Sequence, residues 1–336
     1  ELPVRDVVSW NSLIAGYAQC GRFHAALNTL EEMQCDGISP DAVSFICCLR
    51  ACASLQTIDK GKQIHDEIVA RGLPTKNITL GNALVDMYAK CGMMTKAQEL
   101  HGKLYVKNVV SWNSLIAGYV QQGQYHEAFM YFGWMKNEDL YPDVVTFICA
   151  LGACGIKRDV EKGKQIHVEV VSRGFLVNDI TLGNALVDMY AKFGMFGEAR
   201  MVMEELPVQD KVSWNALVAG YAHMGQGHEA LNCFERMQKE GFAPDAISFV
   251  CALKACANMG SIDKGTQIHD EIISRGLLGK DIMLGNALVD MYTKCGVLAK
   301  ALQVLEELPI RNTISWNVLI AGYAERDQGR EALSCY

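Results

Sequence analysis

The sequence predicts an all-α solenoid built from helix-turn-helix repeats. Three observations carry that expectation. The chain repeats itself at an interval of 102 residues, each repeat holds apolar stripes at helical spacing, and no strand-type alternation separates them.

The interval is read from three phrases. VVSWNSLIAGY begins at Val7, returns unchanged at Val109, and recurs as KVSWNALVAGY from Lys211 and TISWNVLIAGY from Thr313, which places Trp10, Trp112, Trp214 and Trp316 in register. GKQIHDEIVARG from Gly61 and TLGNALVDMYAKCG from Thr79 recur in the same register. Each block divides into related pieces of 35, 36 and 31 residues, with boundaries at 7–41, 42–77, 78–108, 109–143, 144–179, 180–210, 211–245, 246–281 and 282–312. Residues 1–6 match the close of a short piece and residues 313–336 open a tenth hairpin, so 1–336 is read as a single array. Because the chain begins and ends inside a repeat, we expect a piece of a longer protein whose targeting segment lies elsewhere.

Each piece reads as two helices. Trp10, Leu13, Ile14 and Tyr17 fall at i, i+3, i+4 and i+7, one apolar stripe. Gly21 breaks it, Phe23, Ala26, Leu27, Leu30 and Met33 make a second stripe, and Pro40 closes the hairpin. In the short piece Leu84, Val85 and Tyr88 precede Gly92, then Ala97 and Leu100 follow. One position of the second helix is always small, as at Ala26, Gly61, Ala97 and Ala128, which lets neighbouring helices approach. Hairpins of this kind cannot bury their own stripes, so they stack and leave one concave surface.

Composition narrows the function classes. Half the residues are hydrophobic, enough for a continuous core, and no apolar run reaches the length that spans a bilayer, so a soluble protein is expected. The formal charge of −7 gives no bulk sign of a polyanion partner; any such partner needs local placement of charge. Thirteen cysteines, an odd number spread through apolar segments, read as free buried thiols in a reducing compartment.

The three phrases and the alternation of lengths resemble the pentatricopeptide repeat family, in particular the plant PLS class with its P, L and S motifs. The resemblance covers the whole chain. It implies a right-handed superhelix that binds single-stranded RNA, roughly one base per repeat, in a mitochondrion or chloroplast. It further implies a targeting module for RNA editing or processing that works beside other editing-complex proteins. No cofactor, metal or catalysis is expected of this chain, and its uncapped ends leave self-association open.

The residues that match the family's reading positions are the fifth and last of each P and S motif. The fifth is Asn throughout, at Asn11, Asn82, Asn113, Asn184, Asn215, Asn286 and Asn317. The last residues are Asp41, Asn108, Asp143, Asp210, Asp245 and Asn312. The resemblance makes Asn–Asp a uracil reader and Asn–Asn a pyrimidine reader leaning to cytosine. Ionised Asp only accepts hydrogen bonds, which suits the uracil N–H, whereas Asn also donates to the bare ring nitrogen of cytosine. The implied site is 5′-U-n-C-U-n-U-U-n-C-3′, followed by a pyrimidine. The L motifs carry Ile46, Ile148 and Val250 at the fifth position, end in Asn77, Asp179 and Asp281, and receive no letter. Val8, Val110, Val212 and Ile314 match a base-sandwiching position, and Lys90, Lys192 and Lys294 match a phosphate-facing one.

Simpler readings stand beside these. A lone Asn at such a site is commonly a buried amide tying hairpins together; seven in one register favour base contact. The Trp residues share the stripe of Leu13 and Tyr17 and read as core. His65-Asp66-Glu67 and its copies at His167 and His269 fit half of the zinc deaminase signature, but no P-C-x-x-C follows. Cys47 and Cys52 stand five apart, roughly 140° around a helix, which does not suit one metal. Asp86, Asp188 and Asp290 recur as inter-repeat or groove residues. The alternative function is a tetratricopeptide-like peptide-binding scaffold, whose W-x-x-L pattern overlaps WNSL.

Overall fold

The computed structural model describes residues 6–73, 77–177, 179–279, 281–309, 311–326 and 328–334. The opening phrase at 1–5 and Cys335 lie outside the described residues. The sequence reads 1–336 as one array; the structure divides into two compact units, residues 1–153 and 154–336.

In the first unit the helices pair as α1 (Val7–Gln19) with α2 (Phe23–Cys35), α3 (Ala42–Leu55) with α4 (Ile58–Ala70), α5 (Ile78–Lys90) with α6 (Met94–Lys103), and α7 (Val109–Gln121) with α8 (Tyr125–Asn137). The helix α9 (Val144–Lys157) carries the division between the units. The second unit continues with α10 (Val160–Ser172) and a 3-10 turn at Phe175–Val177. Then come α11 (Ile180–Phe193) with α12 (Phe196–Glu205), and α13 (Lys211–His223) with α14 (Gly227–Lys239). The pairs α15 (Ala246–Met259) with α16 (Ile262–Ser274), α17 (Ile282–Lys294) with α18 (Leu298–Glu307), and α19 (Thr313–Ala324) with α20 (Gly329–Ser334) complete it. No strand occurs among the described residues.

The odd-numbered helices begin on the residues where the sequence phrases begin, and a cap explains why. Asp41 accepts the backbone N–H of Val43 and Ser44 at 2.9 and 3.0 Å. Asn108 accepts that of Ser111 at 3.0 Å, and Asp210 accepts those of Val212 and Ser213 at 2.9 and 3.1 Å. Such a cap contributes about 1 kcal/mol. Second helices start instead from a tight turn. At Gly21, with φ 71°, the chain reverses while the Arg22 N–H donates to the Tyr17 carbonyl at 2.9 Å.

Within the first unit α1 packs on α3, α3 on α5 and α5 on α7, each also against its own second helix. Within the second, α11, α13, α15, α17 and α19 form the same ladder. Trp10, Trp112 and Trp214 are buried, as are Tyr88, Tyr190 and Tyr292, so most of the apolar stripe is core as expected; in the first hairpin Leu13 is instead exposed and Tyr17 half-buried, and Trp316 of the last is half-buried. The small position of the second helix is a close approach: a Cβ on Gly61 would meet the Met87 sulfur at 2.5 Å, and one on Gly265 would meet Met291 at 2.5 Å. The twelve described cysteines are free; burial pushes the thiols of Cys154, Cys233 and Cys256 up to about 12.

Two tests follow from this packing. The glycine of each AGY phrase has the same helical place but a different neighbour. A Cβ on Gly118 would meet Ala89 Cβ at 2.8 Å, whereas one on Gly16 meets nothing within 4 Å. Gly118→Ala should therefore cost about 1–3 kcal/mol, while Gly16→Ala should gain up to about 1 kcal/mol; urea unfolding of both variants checks the difference in sign. The second test concerns His101, packed edge-on against Trp112 with ring centroids 4.7 Å apart. Burial, helped by Lys107, holds its imidazole down at about 4. Its folded value lies below the unfolded one, so its contribution is complete above about pH 6.5 and is lost as pH falls towards 4. The loss should reach about 2 kcal/mol by pH 5, and His101→Phe should flatten that part of the stability profile measured by denaturant titration.

Candidate nucleic-acid interface

The fifth-position asparagines sit on the first helix of their motif, one turn from its capped start. Asn82, Asn113, Asn184 and Asn215 are 7–8% exposed, which obliges their amides to find partners. They find them at the end of the same motif. The Nδ2 donates to Asp41 from Asn11 at 3.0 Å, to Asn108 from Asn82 at 3.1 Å, and to Asp143 from Asn113 at 2.9 Å. It also donates to Asp210 from Asn184 at 3.0 Å and to Asp245 from Asn215 at 3.2 Å. Five of the fifth- and last-residue pairs named from sequence thus meet as hydrogen-bonded pairs.

A third member went unnoticed in the sequence. The hydroxyl at the third position of the next motif donates to the amide oxygen, from Ser44 to Asn11 at 2.5 Å, from Thr146 to Asn113 and from Ser248 to Asn215 at 2.6 Å. Ser213 serves Asn184 and Ser315 serves Asn286 in the same way. At the junction of Asn82 the Ser111 hydroxyl turns to the Asn108 carbonyl at 2.9 Å instead. The signal was available: where the fifth residue is Asn the next motif has Ser or Thr third, and where it is Ile46, Ile148 or Val250 the next motif has Leu80, Leu182 or Leu284. The L-to-S junctions therefore hold an apolar pair in place of the polar node.

The amides that tie hairpins together keep capacity in reserve. Each Asn has a second N–H. Among the described residues, Asp41 and Asp143 accept hydrogen bonds on only one carboxylate oxygen. In Asp210 both oxygens are engaged, and in Asp245 the second faces the Lys211 ammonium at 3.3 Å. Burial works to raise the Asp245 carboxyl, yet the hydrogen bonds from Ser248, Lys211 and Asn215 leave it below the usual range. Asp41 is likewise lowered, with Ser44 and Asn11 outweighing burial. Both stay ionised acceptors at neutral pH. Asn286 and Asn312 are half-buried, and Asn317, whose motif ends beyond the chain, is exposed.

Aliphatic groups flank these pairs and face solvent: Val8 is 69% exposed, Val110 56%, Val212 50% and Ile314 61%. The L motifs expose Val43, Val145 and Ile247 at the same second position, which sequence reasoning passed over. At one junction a surface depression is lined by Thr79, Val110, Asn82 and Asn108, with Asp86 and Arg50 also on its wall. The three lysines are not bare cations. Lys90 pairs with Asp86 at 2.9 Å, Lys192 with Asp188 at 2.6 Å and Lys294 with Asp290 at 2.9 Å, each along one helix.

The deaminase-like triplets have a structural task. Nδ1 of His65, His167 and His269 lies 2.9, 2.8 and 2.9 Å from the hydroxyl of Tyr88, Tyr190 and Tyr292 in the following hairpin. Burial lowers all three imidazoles. No group of three His, Cys, Asp or Glu that could hold a metal occurs among the described residues.

Comparison with known proteins places this geometry. The PPR repeat family pattern matches residues 5–54, 107–156 and 209–258, and the PPR repeat pattern matches 82–109, 184–209, 286–312 and 314–336. Among curated relatives, a chloroplastic pentatricopeptide repeat-containing protein of Arabidopsis thaliana is 33% identical over 99% of the chain and 38% of its own length. A mitochondrial one from the same plant is 34% identical over 95% of the chain and 37% of its own length. The chain thus spans less than half of either relative. A crystal structure of the pentatricopeptide repeat protein PPR10 in complex with an 18-nt psaJ RNA element superposes on 99% of this chain and 50% of that one, with a TM-score of 0.73 at 19% identity.

The node gives a stability test. Asn113→Ala removes a donor from Asp143 and one of the two acceptors of the Thr146 hydroxyl, which keeps Asp143 Oδ1 at 2.8 Å, so it should cost about 1–2 kcal/mol. Asn317→Ala, on an exposed side chain, should stay within about 0.5 kcal/mol of the parent. Equal effects of the two in urea titrations would mean that the node carries no stability.

Proposed function

Because the chain belongs to the pentatricopeptide repeat family, we propose that it binds single-stranded RNA by sequence, about one base for each P and S motif. The depression at Asn82 and Asn108 carries the reading. Its lining brings together the polar pair, the second-position side chains of two successive motifs and the Arg50 side chain. A base laid between Thr79 and Val110 buries its faces on those side chains and turns an edge to the pair.

Discrimination comes from what the pair has left over. The Asn108 Oδ1 already accepts from Asn82 and from the Ser111 N–H, so its NH2 is the group available to a base. It donates to the bare ring nitrogen of cytosine. In Asp41 or Asp143 the second carboxylate oxygen takes that place and accepts the uracil N–H. Asp210 and Asp245, whose second oxygens are already engaged, take U from the family resemblance alone; on this assignment the site is 5′-U-n-C-U-n-U-U-n-C-3′ with the array parallel to the strand, followed by a pyrimidine. Asn11, Asn82, Asn113, Asn184, Asn215, Asn286 and Asn317 are the first letters of the reader. Val8, Val110, Val212 and Ile314 sandwich bases, and Lys90, Lys192 and Lys294 face phosphates.

The alternation of 35, 36 and 31 residues supports the PLS class, and with it a targeting module for editing or processing of organellar transcripts, without catalysis of its own. The organellar labels of the relatives support a chloroplast or mitochondrion as its place. Other proteins of an editing complex are its proposed partners.

Selection from a random RNA pool should enrich a pyrimidine-rich site with U at the Asn–Asp positions; a pool that shows no enrichment would refute the reading. Asn108→Asp keeps the cap and the acceptor for Asn82 while exchanging the outward donor for an acceptor. It should move preference at one base from C to U, by roughly the 1–3 kcal/mol of a well-made base contact. Competition binding with the two single-base variants measures that shift.

A further inference from the structure

The 102-residue register allows one junction to be compared with its copies, and one of them departs from the rest. Four positions are involved: the fifteenth of an L motif, in the turn that closes its first helix, the thirteenth of the following S and P motifs, and the ninth of the next L. Where block one meets block two they hold Gln56, Lys90, Gln121 and Gly152. Where block three meets the last motif they hold Gly260, Lys294 and Glu325, the fourth lying beyond the chain. Where block two meets block three they hold Arg158, Lys192, His223 and Lys254. A position set with one cation elsewhere has three cations and a histidine here.

The structure gathers these four within the second unit. Arg158, Lys192 and His223 line one open cavity of about 250 Å³, floored by small residues such as Ala191, Ala219 and Gly220. Lys254 Nζ stands 3.4 Å from His223 Nδ1 and 3.5 Å from Nε2. The one carboxylate on the cavity wall, Asp188, is paired with Lys192 at 2.6 Å. Among the described residues no ion pair is formed by Arg158 or Lys254. Arg158 also holds a left-handed backbone, with φ 56°, as Gln56 does one block earlier with φ 55°, at the place where Gly260 stands one block later. Its long charged side chain is kept at a position where glycine is the unstrained choice.

We propose that Arg158, Lys192, His223 and Lys254 form a seat for one phosphodiester of the bound strand, in which His223 takes up a proton from solvent as the phosphate arrives. The inference rests on the RNA-binding reading and adds a regulated contact to it. In the empty seat burial, followed by Lys254, Lys192 and Arg158, holds the His223 imidazole below its ordinary value, so it is neutral at neutral pH. The facing charges from α11 are Lys192 and Asp188, from the turn after α9 Arg158, and from α15 Lys254. A phosphate reverses the sign of that field and raises the imidazole. Affinity then grows as pH falls through the bound-state value and levels off below the free-state value, with a limit of tenfold per pH unit for one proton. The cluster thereby makes the middle of the array more responsive to pH than either end.

The experiment measures binding of a random single-stranded RNA pool at constant salt between about pH 8 and pH 6, alongside the imidazole resonance of His223. For the parent chain, affinity should rise about three- to tenfold over that range, and the titration midpoint of His223 should move up when RNA is added. His223→Gln, which installs the residue of the equivalent Gln121, should lose the pH slope. Arg158→Gly should leave thermal stability equal or higher, yet reduce the salt slope by about one and raise the His223 midpoint in the free chain. If RNA binds but parent and His223→Gln share one pH slope, or if the His223 midpoint ignores RNA, the proposal is overturned while the RNA reading stands. A chain that binds no RNA at any pH overturns both. A His223 shift with inorganic phosphate alone would then identify the cluster as a seat for free phosphate.

Discussion

The hydrogen bond from a fifth-position amide to the cap of the next helix sets the terms for the rest of the structure. First and second helices run 10–14 residues apart from the last, lengths that are marginal in isolation. Each helix therefore needs a neighbour, and it needs that neighbour in one register. Asp41 supplies the register: the same oxygen that receives the N–H groups of Val43 and Ser44 also receives Asn11. A helix whose cap is held by the preceding hairpin can begin at one residue only. Stacking and helix initiation become a single event, repeated down each unit.

Every third junction solves the same problem differently. Between L and S motifs Ile46 replaces the amide and Leu80 replaces the hydroxyl, while Asn77 still caps α5 through Thr79 and Leu80 at 3.1 and 3.2 Å. Capping is there uncoupled from the amide, and the polar tie between the hairpins moves to the second helix of the L motif, where His65 Nδ1 lies 2.9 Å from the Tyr88 hydroxyl. A polar node must be satisfied in full or it destabilises; an apolar pair has no such demand and no directional preference. Each block thus joins its hairpins through two directional amide nodes and one junction with apolar residues at the corresponding positions.

Much of this was legible in advance, for reasons tied to particular residues. Asp41, Asn108 and Asp210 precede apolar stripes, so helix starts could be placed to the residue; Trp10 and Tyr88 share those stripes, so their burial followed from period alone. What escaped was the contact between elements that are distant in sequence. Ser44 and Thr146 look like ordinary capping-box partners, and nothing local says that their hydroxyls turn to an amide 33 residues earlier. Lys90 and Asp86 were assigned separate tasks, because each was compared with its copies rather than with its neighbour four residues away. The gathering of Arg158, His223 and Lys254 escaped for the same reason: these residues do not recur at the equivalent positions of the other blocks, and a repeat pattern shows only what recurs.

The cap has a consequence for how such arrays diversify. A residue that must accept a backbone N–H with a short side chain can be Asp, Asn, Ser or Thr, and few others without loss. Any recognition scheme that uses the last residue of a motif inherits that vocabulary from helix chemistry, before any ligand is consulted. Exchange of Asn108 for Asp is near neutral for folding, so a lineage can drift between the two and only afterwards meet selection on what is bound. The fifth residue has no such freedom, since its amide is answered by a hydroxyl on the next hairpin. Variation is thereby channelled to one end of each motif, where the scaffold tolerates it.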